Sequence, residues 1–496
     1  MVNYSALQNG SDVRGIAMEG VEGEPVNLSP EAVSDIAYAF VKWLGKRLGK
    51  SPSTLKIAVG KDSRLSGPSL TEAALAGITD GGASAEDCGL ASTPAMFMAT
   101  IFPEAGFDGA IMITASHLPW NRNGMKFFAN GTGLEKFDIS ALLETAIEEK
   151  SVMQRSEQKQ FDIMTPYAAH LREIIKTGIK VKRDRPLEGF KIAVDAGNGA
   201  GGFFARDVLE VLGADISASR YLEPDGHFPN HAPNPENSQV MEIARQMVLE
   251  NGCDLGIVFD TDVDRSAAVD ETGSILSRNR LIGLLAKIVS ESNPGCTIVT
   301  DSVTSDHLTR FIEGLGCVHH RFKRGYRNVI NEAIRLNNQG VNAPLAIETS
   351  GHCAIRDNYF LDDGAYVAAL LVIETVNARH NGQTLSAMIK ELKDPLEAVE
   401  YRLKINADDY KRYADDVLRE VKAYLPTQAA WRMAPDNYEG VRVTVPVHKG
   451  WFLLRMSLHD PLMPLNIESD LESGVDRIYT ELKSFLKSFP KLELPK

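Results

Sequence analysis

Lys56-Ile57-Ala58-Val59-Gly60, followed by Ser69-Leu70-Thr71-Glu72-Ala73-Ala74-Leu75-Ala76-Gly77, decides the fold class. The first stretch is a short apolar run of strand length, and the second carries its apolar residues at helical spacing. The pair recurs twice. Phe190-Lys191-Ile192-Ala193-Val194-Asp195 precedes Ala205-Arg206-Asp207-Val208-Leu209-Glu210-Val211-Leu212, and Thr297-Ile298-Val299-Thr300-Asp301 precedes Leu308-Thr309-Arg310-Phe311-Ile312. Strands that alternate with helices predict α/β layers with mixed, largely parallel sheets. Three such blocks of roughly a hundred residues or more predict three similar α/β domains. The end of the chain differs. Tyr438-Glu439-Gly440-Val441-Arg442-Val443-Thr444-Val445 and Trp451-Phe452-Leu453-Leu454-Arg455-Met456-Ser457 alternate like antiparallel strands, and a helix is predicted over about 475–489. Asp394-Pro395-Leu396 punctuates the chain before them. The expected partition is 1–165, 166–275 and 276–394 for the α/β domains and 395–496 for a smaller α+β domain.

The bulk composition narrows the class of function. A chain of 496 residues holds several cores, and 44% apolar with 24% charged residues is the make-up of an ordinary soluble enzyme. A formal charge of −13 argues against nucleic acid and membrane surfaces as partners. The five cysteines (Cys88, Cys253, Cys296, Cys317 and Cys353) are scattered with no C-x-x-C, so neither a disulfide framework nor a zinc site is expected. No apolar stretch approaches the roughly 18–20 residues of a membrane span. Met1-Val2-Asn3-Tyr4-Ser5 lacks a signal peptide, and a cytoplasmic chain is expected, although an organellar one stripped of its leader reads the same.

Two strand ends carry chemistry. Asp260, Asp262 and Asp264 follow the run Leu255-Gly256-Ile257-Val258-Phe259. On an extended backbone, alternate side chains share a face, which predicts that the three carboxylates converge. Converging carboxylates call for a hard cation, and oxygen-only ligands suit Mg²⁺. An EF-hand calcium loop is disfavoured because Arg265 stands where that loop needs glycine. Thr114-Ala115-Ser116-His117 ends the second run, Gly109-Ala110-Ile111-Met112-Ile113. A Ser-His pair there usually caps a turn, and no G-x-S-x-G elbow surrounds it. The continuation Asn123-Gly124-Met125-Lys126 nevertheless returns a lysine to the same pocket. A hydroxyl nucleophile with a Mg²⁺ cage points to phosphoryl transfer.

Three further segments bear on function. Glu348-Thr349-Ser350-Gly351-His352 offers a carboxylate, two hydroxyls and an imidazole suited to sugar hydroxyls. Arg455-Met456-Ser457-Leu458-His459-Asp460-Pro461 offers Arg, Ser and backbone donors suited to a phosphate. Gly197-Asn198-Gly199-Ala200-Gly201-Gly202 matches G-x-G-x-x-G, with Glu223 beyond the strand-like Asp215-Ile216-Ser217-Ala218-Ser219. That pattern supports a competing reading, a dinucleotide-dependent oxidoreductase, against a plain strand–helix turn. A dehydrogenase has no use for three aspartates beside a Ser-Lys loop. The pair His319-His320 has no third ligand at metal spacing and is assigned nothing.

Taken in chain order, these segments resemble the α-D-phosphohexomutase family of phosphomannomutase/phosphoglucomutase type. Gly10-Ser11-Asp12-Val13-Arg14-Gly15 resembles its opening Arg-Gly loop, and Val59-Gly60-Lys61-Asp62-Ser63-Arg64 its V-G-x-D-x-R. Thr114-Ala115-Ser116-His117 with Asn123-Gly124 and Lys126 resembles its phosphoserine loop. Asp260-Thr261-Asp262-Val263-Asp264-Arg265 resembles its metal loop, Glu348 to His352 its sugar loop and Arg455-Met456-Ser457 its phosphate loop. The resemblance implies three similar α/β domains and a smaller fourth around a central cleft. It implies an isomerase-class phosphotransferase that interconverts hexose 1-phosphate and hexose 6-phosphate, with glucose and/or mannose as the sugar. Ser116 would be carried as phosphoserine, and its phosphoryl oxygen with Asp260, Asp262 and Asp264 would hold Mg²⁺. Arg14 and Arg265 would steady the phosphoryl oxygens, and Lys126 or His352 would move the hydroxyl proton. Glu348, Ser350 and His352 would contact the sugar, while Arg455 and Ser457 would hold its phosphate. A hexose 1,6-bisphosphate would be both intermediate and activator, and the protein a monomer or homodimer. Members have a similar N-G-x-G turn in the second domain and bind no dinucleotide there.

The chain departs from the family at Leu118, where members have Asn, and at Leu458 and His459, where members have Asn and Thr. Tyr326, in Lys323-Arg324-Gly325-Tyr326, stands where mannose/glucose members have a sugar-contacting His. These departures leave the sugar open and keep two alternatives: a phosphoglucosamine mutase, and a non-catalytic sugar-phosphate sensor on the same fold.

Overall fold

The apolar run at 56–60 becomes the strand Lys56–Lys61, in the middle of a sheet that also holds Gly109–Ile113 and Ser84–Leu90 in parallel. The computed structural model describes residues 2–153, 159–180, 183–435, 437–457 and 460–495. The far half of this first sheet is antiparallel: Arg122–Ala129 pairs with Gly109–Ile113, and Asp12–Ile16 pairs with Arg122–Ala129. Helices Pro30–Leu48, Gly67–Asp80 and Lys136–Glu148 cover it. Pro30–Leu48 starts where a sequence rule would start it, with Ser29 accepting from the Ala32 amide and Pro30 in the first turn. Phe40, Leu44, Ile57, Ile111 and Phe127 are fully buried or nearly so between helices and sheet.

The second sheet runs Ile275–Leu276, Ser266–Asp270, Leu255–Phe259 and Ile192–Asp195. Only the last pair is parallel. The segment 215–219, predicted as strand-like, meets the sheet through single bridges, Lys191 with Asp215 and, just past its end, Asp195 with Arg220, and through the Val194 amide, which donates to Ser219 Oγ at 3.0 Å. One side-chain and one backbone bond turn it: Asp215 Oδ1 accepts from the Ser217 amide, and the Ser219 amide donates back to the Ile216 carbonyl. The helix predicted over 205–212 is a π-type helix, Phe204–Glu210.

In the third block, Thr297–Thr300 lies between Val318–Arg321 and Leu345–Ile347, all parallel, with helices Asp306–Gly314 and Tyr326–Asn338. A hairpin, Cys353–Ile355 with Leu361–Asp362, then leads into helix Gly364–His380. The last block is an antiparallel sheet built from Val441–Val445, Gly450–Leu454, Leu462–Ser469 and Glu397–Ile405, with helices Tyr410–Tyr424 and Gly474–Leu486 packed on it. Three α/β blocks with mixed sheets and a fourth, antiparallel one are thus the architecture.

These blocks fall into two compact units. Unit 1 holds residues 1–281 and 350–388, and unit 2 holds 282–349 and 389–496. No described helix is long and apolar enough to cross a membrane.

Candidate active site

In unit 1, the strand Leu255–Phe259 does not continue through the aspartates. The chain turns, and Val263 takes a left-handed conformation with φ 67°. The extended backbone expected for residues 260–264 is therefore corrected, because three neighbours hold the turn. The Ala200 amide donates to Thr261 O at 2.8 Å, the Gly364 amide to Val263 O at 3.1 Å and the Thr93 amide to Asp262 O at 2.8 Å. The carboxylates converge all the same: Asp260, Asp262 and Asp264 are buried, with ligand oxygens all within 4.8 Å of one another.

The glycine-rich turn at 197–202 serves this loop. A Cβ on Gly199 would lie 2.6 Å from Thr261 O, so only glycine admits the approach. Glu223, which a dinucleotide site would use for a ribose, pairs its side chain with Arg206, and its carbonyl accepts from Asn198 Nδ2 at 2.8 Å.

Ser116 lies on the loop between the antiparallel strands Gly109–Ile113 and Arg122–Ala129, and it too is left-handed, with φ 50°. The loop is folded around one buried guanidinium. Arg64 Nη1 donates to Pro119 O at 2.7 Å and Arg122 O at 2.9 Å, and Nη2 donates to Ser116 O at 2.5 Å and Leu118 O at 2.6 Å. Thr114 links the loop to Asp62, donating to Asp62 Oδ2 at 2.6 Å and accepting from the Ser116 amide at 2.9 Å.

The serine and aspartate loops meet directly. Ser116 Oγ donates to Asp260 Oδ2 at 2.8 Å, and Arg265 Nη2 donates to Ser116 Oγ at 3.3 Å. Arg265 also grips Asp260 Oδ2 with Nε and Nη2, each at 3.1 Å. Lys126 returns along its strand to donate to Asp262 Oδ2 at 3.0 Å and to Asp264. Thr93 Oγ1 donates to Asp262 Oδ2 at 2.5 Å. His352 places Nδ1 2.5 Å from Asp362 Oδ2 and 3.9 Å from Asp264. Arg14 pairs with Asp12 at 2.9 Å and is influenced by Asp262 and Asp264.

Burial and crowding divide the charges. Burial, with Asp264 beside it, pushes Asp260 well above the usual carboxylate range. Asp264 is also buried, yet Lys126, His352 and Arg265 hold it below that range. Burial opposes the charge on His352, but Asp362 and Asp264 overcome it and raise its pKa to about 9. His117, 3.4 Å from Ser116 Oγ, goes the other way: burial and then Arg265 and Arg14 push it down to about 2, so it is neutral.

Two oxygens of the aspartate cluster, Asp262 Oδ1 and Asp264 Oδ1, are buried without a hydrogen-bond partner. Orphaned carboxylate oxygens in an all-oxygen donor set fit a hard divalent cation such as Mg²⁺.

Unit 2 carries the other expected residues. Glu348 Oε1 accepts from the Gly325 amide at 2.6 Å, and Thr349 Oγ1 donates to Asp301 Oδ2 at 2.8 Å. Glu439 accepts from Ser302 Oγ at 2.5 Å and from the Arg324 amide at 3.1 Å, and it faces Arg455 Nη1 at 4.0 Å. Arg455 is 5% exposed, and its Nε has no hydrogen-bond partner. Ser457 Oγ accepts from the Asp460 amide at 3.2 Å. Leu458 and His459 lie outside the described residues, and Tyr326 opens the helix Tyr326–Asn338. The unit boundary falls between Thr349 and Ser350, inside the expected sugar loop.

Ser116, Lys126, Asp260, Asp262, Asp264, Arg265 and His352 are thus joined in one network of unit 1, with Arg14 at its edge. Sequence reasoning missed the residues that hold them. Asp62 and Arg64 stood in a quoted motif without a role, whereas Thr93, Asp362, Asp301 and Glu439 gave no local signal. His319 and His320 are held by Thr300 and Thr309 and by Glu332, respectively.

Residues 6–153, 165–273 and 277–395 match the models for phosphoglucomutase/phosphomannomutase alpha/beta/alpha domains I, II and III. The chain is 32% identical over 482 residues to a phosphomannomutase/phosphoglucomutase of Pseudomonas aeruginosa, covering 96% of this chain and 95% of that one. It is 31% identical over 467 residues to a phosphoglucomutase of Neisseria gonorrhoeae, covering 93% and 95%. Among solved structures, a phosphoglucomutase/phosphomannomutase family protein from Burkholderia thailandensis superposes with a TM-score of 0.80 at 27% identity, over 99% of this chain and 98% of that one.

Proposed function

The chain belongs to the phosphoglucomutase/phosphomannomutase family, and on that premise we propose that it moves a phosphoryl group between the 1- and 6-positions of a hexose phosphate through phosphorylated Ser116. The observation that carries this reading is the bond from Ser116 Oγ to Asp260 Oδ2, made between residues 144 positions apart, inside a buried cluster of three aspartates.

The P–O bond to Ser116 breaks as a P–O bond to the sugar's free hydroxyl forms. His352 or Lys126, cationic before the exchange, gives its proton to the departing Ser116 Oγ and takes up that of the sugar hydroxyl, which leaves a hexose 1,6-bisphosphate and a free serine. The bisphosphate turns end for end, and the same exchange in reverse restores phosphoserine 116 and releases the isomeric monophosphate. Added hexose 1,6-bisphosphate acts as activator by phosphorylating free Ser116. Arg265, which bridges Asp260 and Ser116 Oγ, and Arg14 neutralise charge on the phosphoryl oxygens. Lys126, pinned between Asp262 and Asp264, adds a third cation. Asp260, Asp262 and Asp264, with an oxygen of phosphorylated Ser116, would hold Mg²⁺, which when bound offsets charge on the transferred group. Arg455 and Ser457 would hold the phosphate already on the sugar, and Glu348, Ser350 and His352 its hydroxyls. We take 1–165, 166–275, 276–394 and 395–496 as the four domains that supply these groups.

The test is a coupled mutase assay with Mg²⁺ and a trace of glucose 1,6-bisphosphate, run on glucose, mannose and glucosamine 1-phosphates. Turnover that disappears in Ser116→Ala is expected, and the fastest substrate identifies the sugar. Absence of turnover on all three substrates, or turnover retained by Ser116→Ala, overturns the reading.

A further inference from the structure

Asp362, Asp363 and Gly364 follow one another at the end of the hairpin, and each is committed to a different part of unit 1. Asp363 caps the helix Gly364–His380 by accepting from the Tyr366 amide at 2.8 Å, and it also accepts from Tyr167 Oη at 2.7 Å and Asn358 Nδ2 at 3.0 Å. Gly364 lies against the aspartate loop, where a Cβ would be 2.5 Å from the Arg265 carbonyl carbon. Asp362 turns back to His352: Oδ2 lies 2.5 Å from His352 Nδ1, and Oδ1 accepts from the Cys353 amide at 2.8 Å. His352 also pairs its backbone with Arg265 in a single antiparallel bridge. The imidazole is therefore fixed at its backbone by the aspartate loop and at Nδ1 by Asp362. The mechanism above gives Asp362 no part.

We infer that Asp362 is the positioning residue for His352. It sets the rotation of the ring and keeps a proton on Nδ1, so that Nε2 is the nitrogen that exchanges a proton with the sugar. The inference rests on the role proposed above for His352. A carboxylate that accepts from one ring nitrogen selects the tautomer and orientation in which the other works, and replacing it by an amide leaves the shape intact while losing that selection. A merely structural Asp362 would instead act as a clasp for the hairpin through the Cys353 amide, a contact that an amide oxygen can also accept.

The two roles separate in a double-mutant cycle measured by kcat and KM, with Asp362→Asn, His352→Ala and the pair. The expected result is a kcat for Asp362→Asn about a hundredfold to a thousandfold lower, with KM within about twofold of wild type. In the His352→Ala background the same change should cost less than about threefold, because the ring that it positions is gone. Should Asp362→Asn fail to fold, Asp362→Ser keeps a small acceptor near the Cys353 amide, and the same pattern is expected. Equal losses in both backgrounds, a rise in KM alone, or an unchanged kcat in Asp362→Asn would overturn the inference while leaving the proposed function standing. A full kcat in His352→Ala, in an enzyme that still needs Ser116, would remove the role of His352 and the inference with it. A wild type without turnover removes the proposed function itself.

Discussion

Arg64 shows how much of the site depends on one buried side chain. Its four bonds to loop carbonyls leave Ser116 in a left-handed conformation that a non-glycine residue adopts only when its surroundings impose it. Lysine keeps the charge and loses the planar fork, so Arg64→Lys should cost about 3 kcal/mol of stability and at least tenfold in kcat, measured by urea unfolding and the mutase assay. The orphaned oxygens of Asp262 and Asp264 lead to a second expectation. EDTA should abolish turnover and Mg²⁺ should restore it, and at a hundredfold excess over its Kd the ion should add about 2.7 kcal/mol to stability. A Tm unchanged by Mg²⁺ would count against the three aspartates as its ligands. The serine and the aspartates could be singled out in the sequence because each stands at the end of an apolar run with further reactive groups beside it, Lys126 after Ser116 and three carboxylates within five residues. Arg64, Thr93 and Asp362 could not, because what distinguishes each is a partner 52, 169 or 10 residues away, and sequence does not show who is buried beside whom.

The strands and main helices were legible from apolar period, and the exceptions have local causes. Residues 260–264 turn because amides at Ala200, Thr93 and Gly364 take up their carbonyls, and residues 215–219 turn on the side chain of Asp215. A packing consequence can be tested at Gly364. An alanine there would meet the Arg265 backbone at 2.5 Å, so Gly364→Ala should destabilise by about 1–3 kcal/mol or more and displace the guanidinium from Ser116, which thermal unfolding and kcat would register. The segment 225–237 is held in a different way. His231 Nε2 lies 3.1 and 3.0 Å from the two oxygens of Asp195, while Asn234 and Glu236 face Arg265, each at 3.5 Å. Burial lowers the pKa of His231, but Asp195 more than reverses this and holds it above 6.5. Its contribution to stability is therefore complete below about pH 6.5 and is lost as pH rises through the raised value. Urea midpoints should fall with rising pH across that window in wild type and fall less in His231→Asn. An equal slope in both proteins would assign the pH dependence elsewhere.

At the scale of the whole molecule, the expected partition into four blocks and the two compact units describe different things. Sequence period reports where a sheet begins and ends, whereas the units follow the density of contacts, which no periodicity encodes. Every expected Mg²⁺ ligand lies in unit 1, whereas Glu348, Arg455 and Ser457 lie in unit 2. Calorimetry should accordingly resolve more than one transition, and Mg²⁺ should raise the one belonging to unit 1 while leaving the other within about a degree. A single transition that shifts as a whole would show the units unfolding together. Each unit is also made of two separate stretches of chain, and this bears on how the protein emerges from the ribosome. Ser116 and the three aspartates are synthesised well before His352 and Asp362, which arrive only after the first stretch of unit 2 has been made. A nascent chain halted after residue 281 would hold the acidic cluster with Lys126 and Arg265 but without the imidazole, its aspartate or the glycine that seats Arg265. Folding that ordinarily proceeds domain by domain from the N-terminus must here wait, with part of unit 1 unfinished, for a segment coded almost seventy residues later.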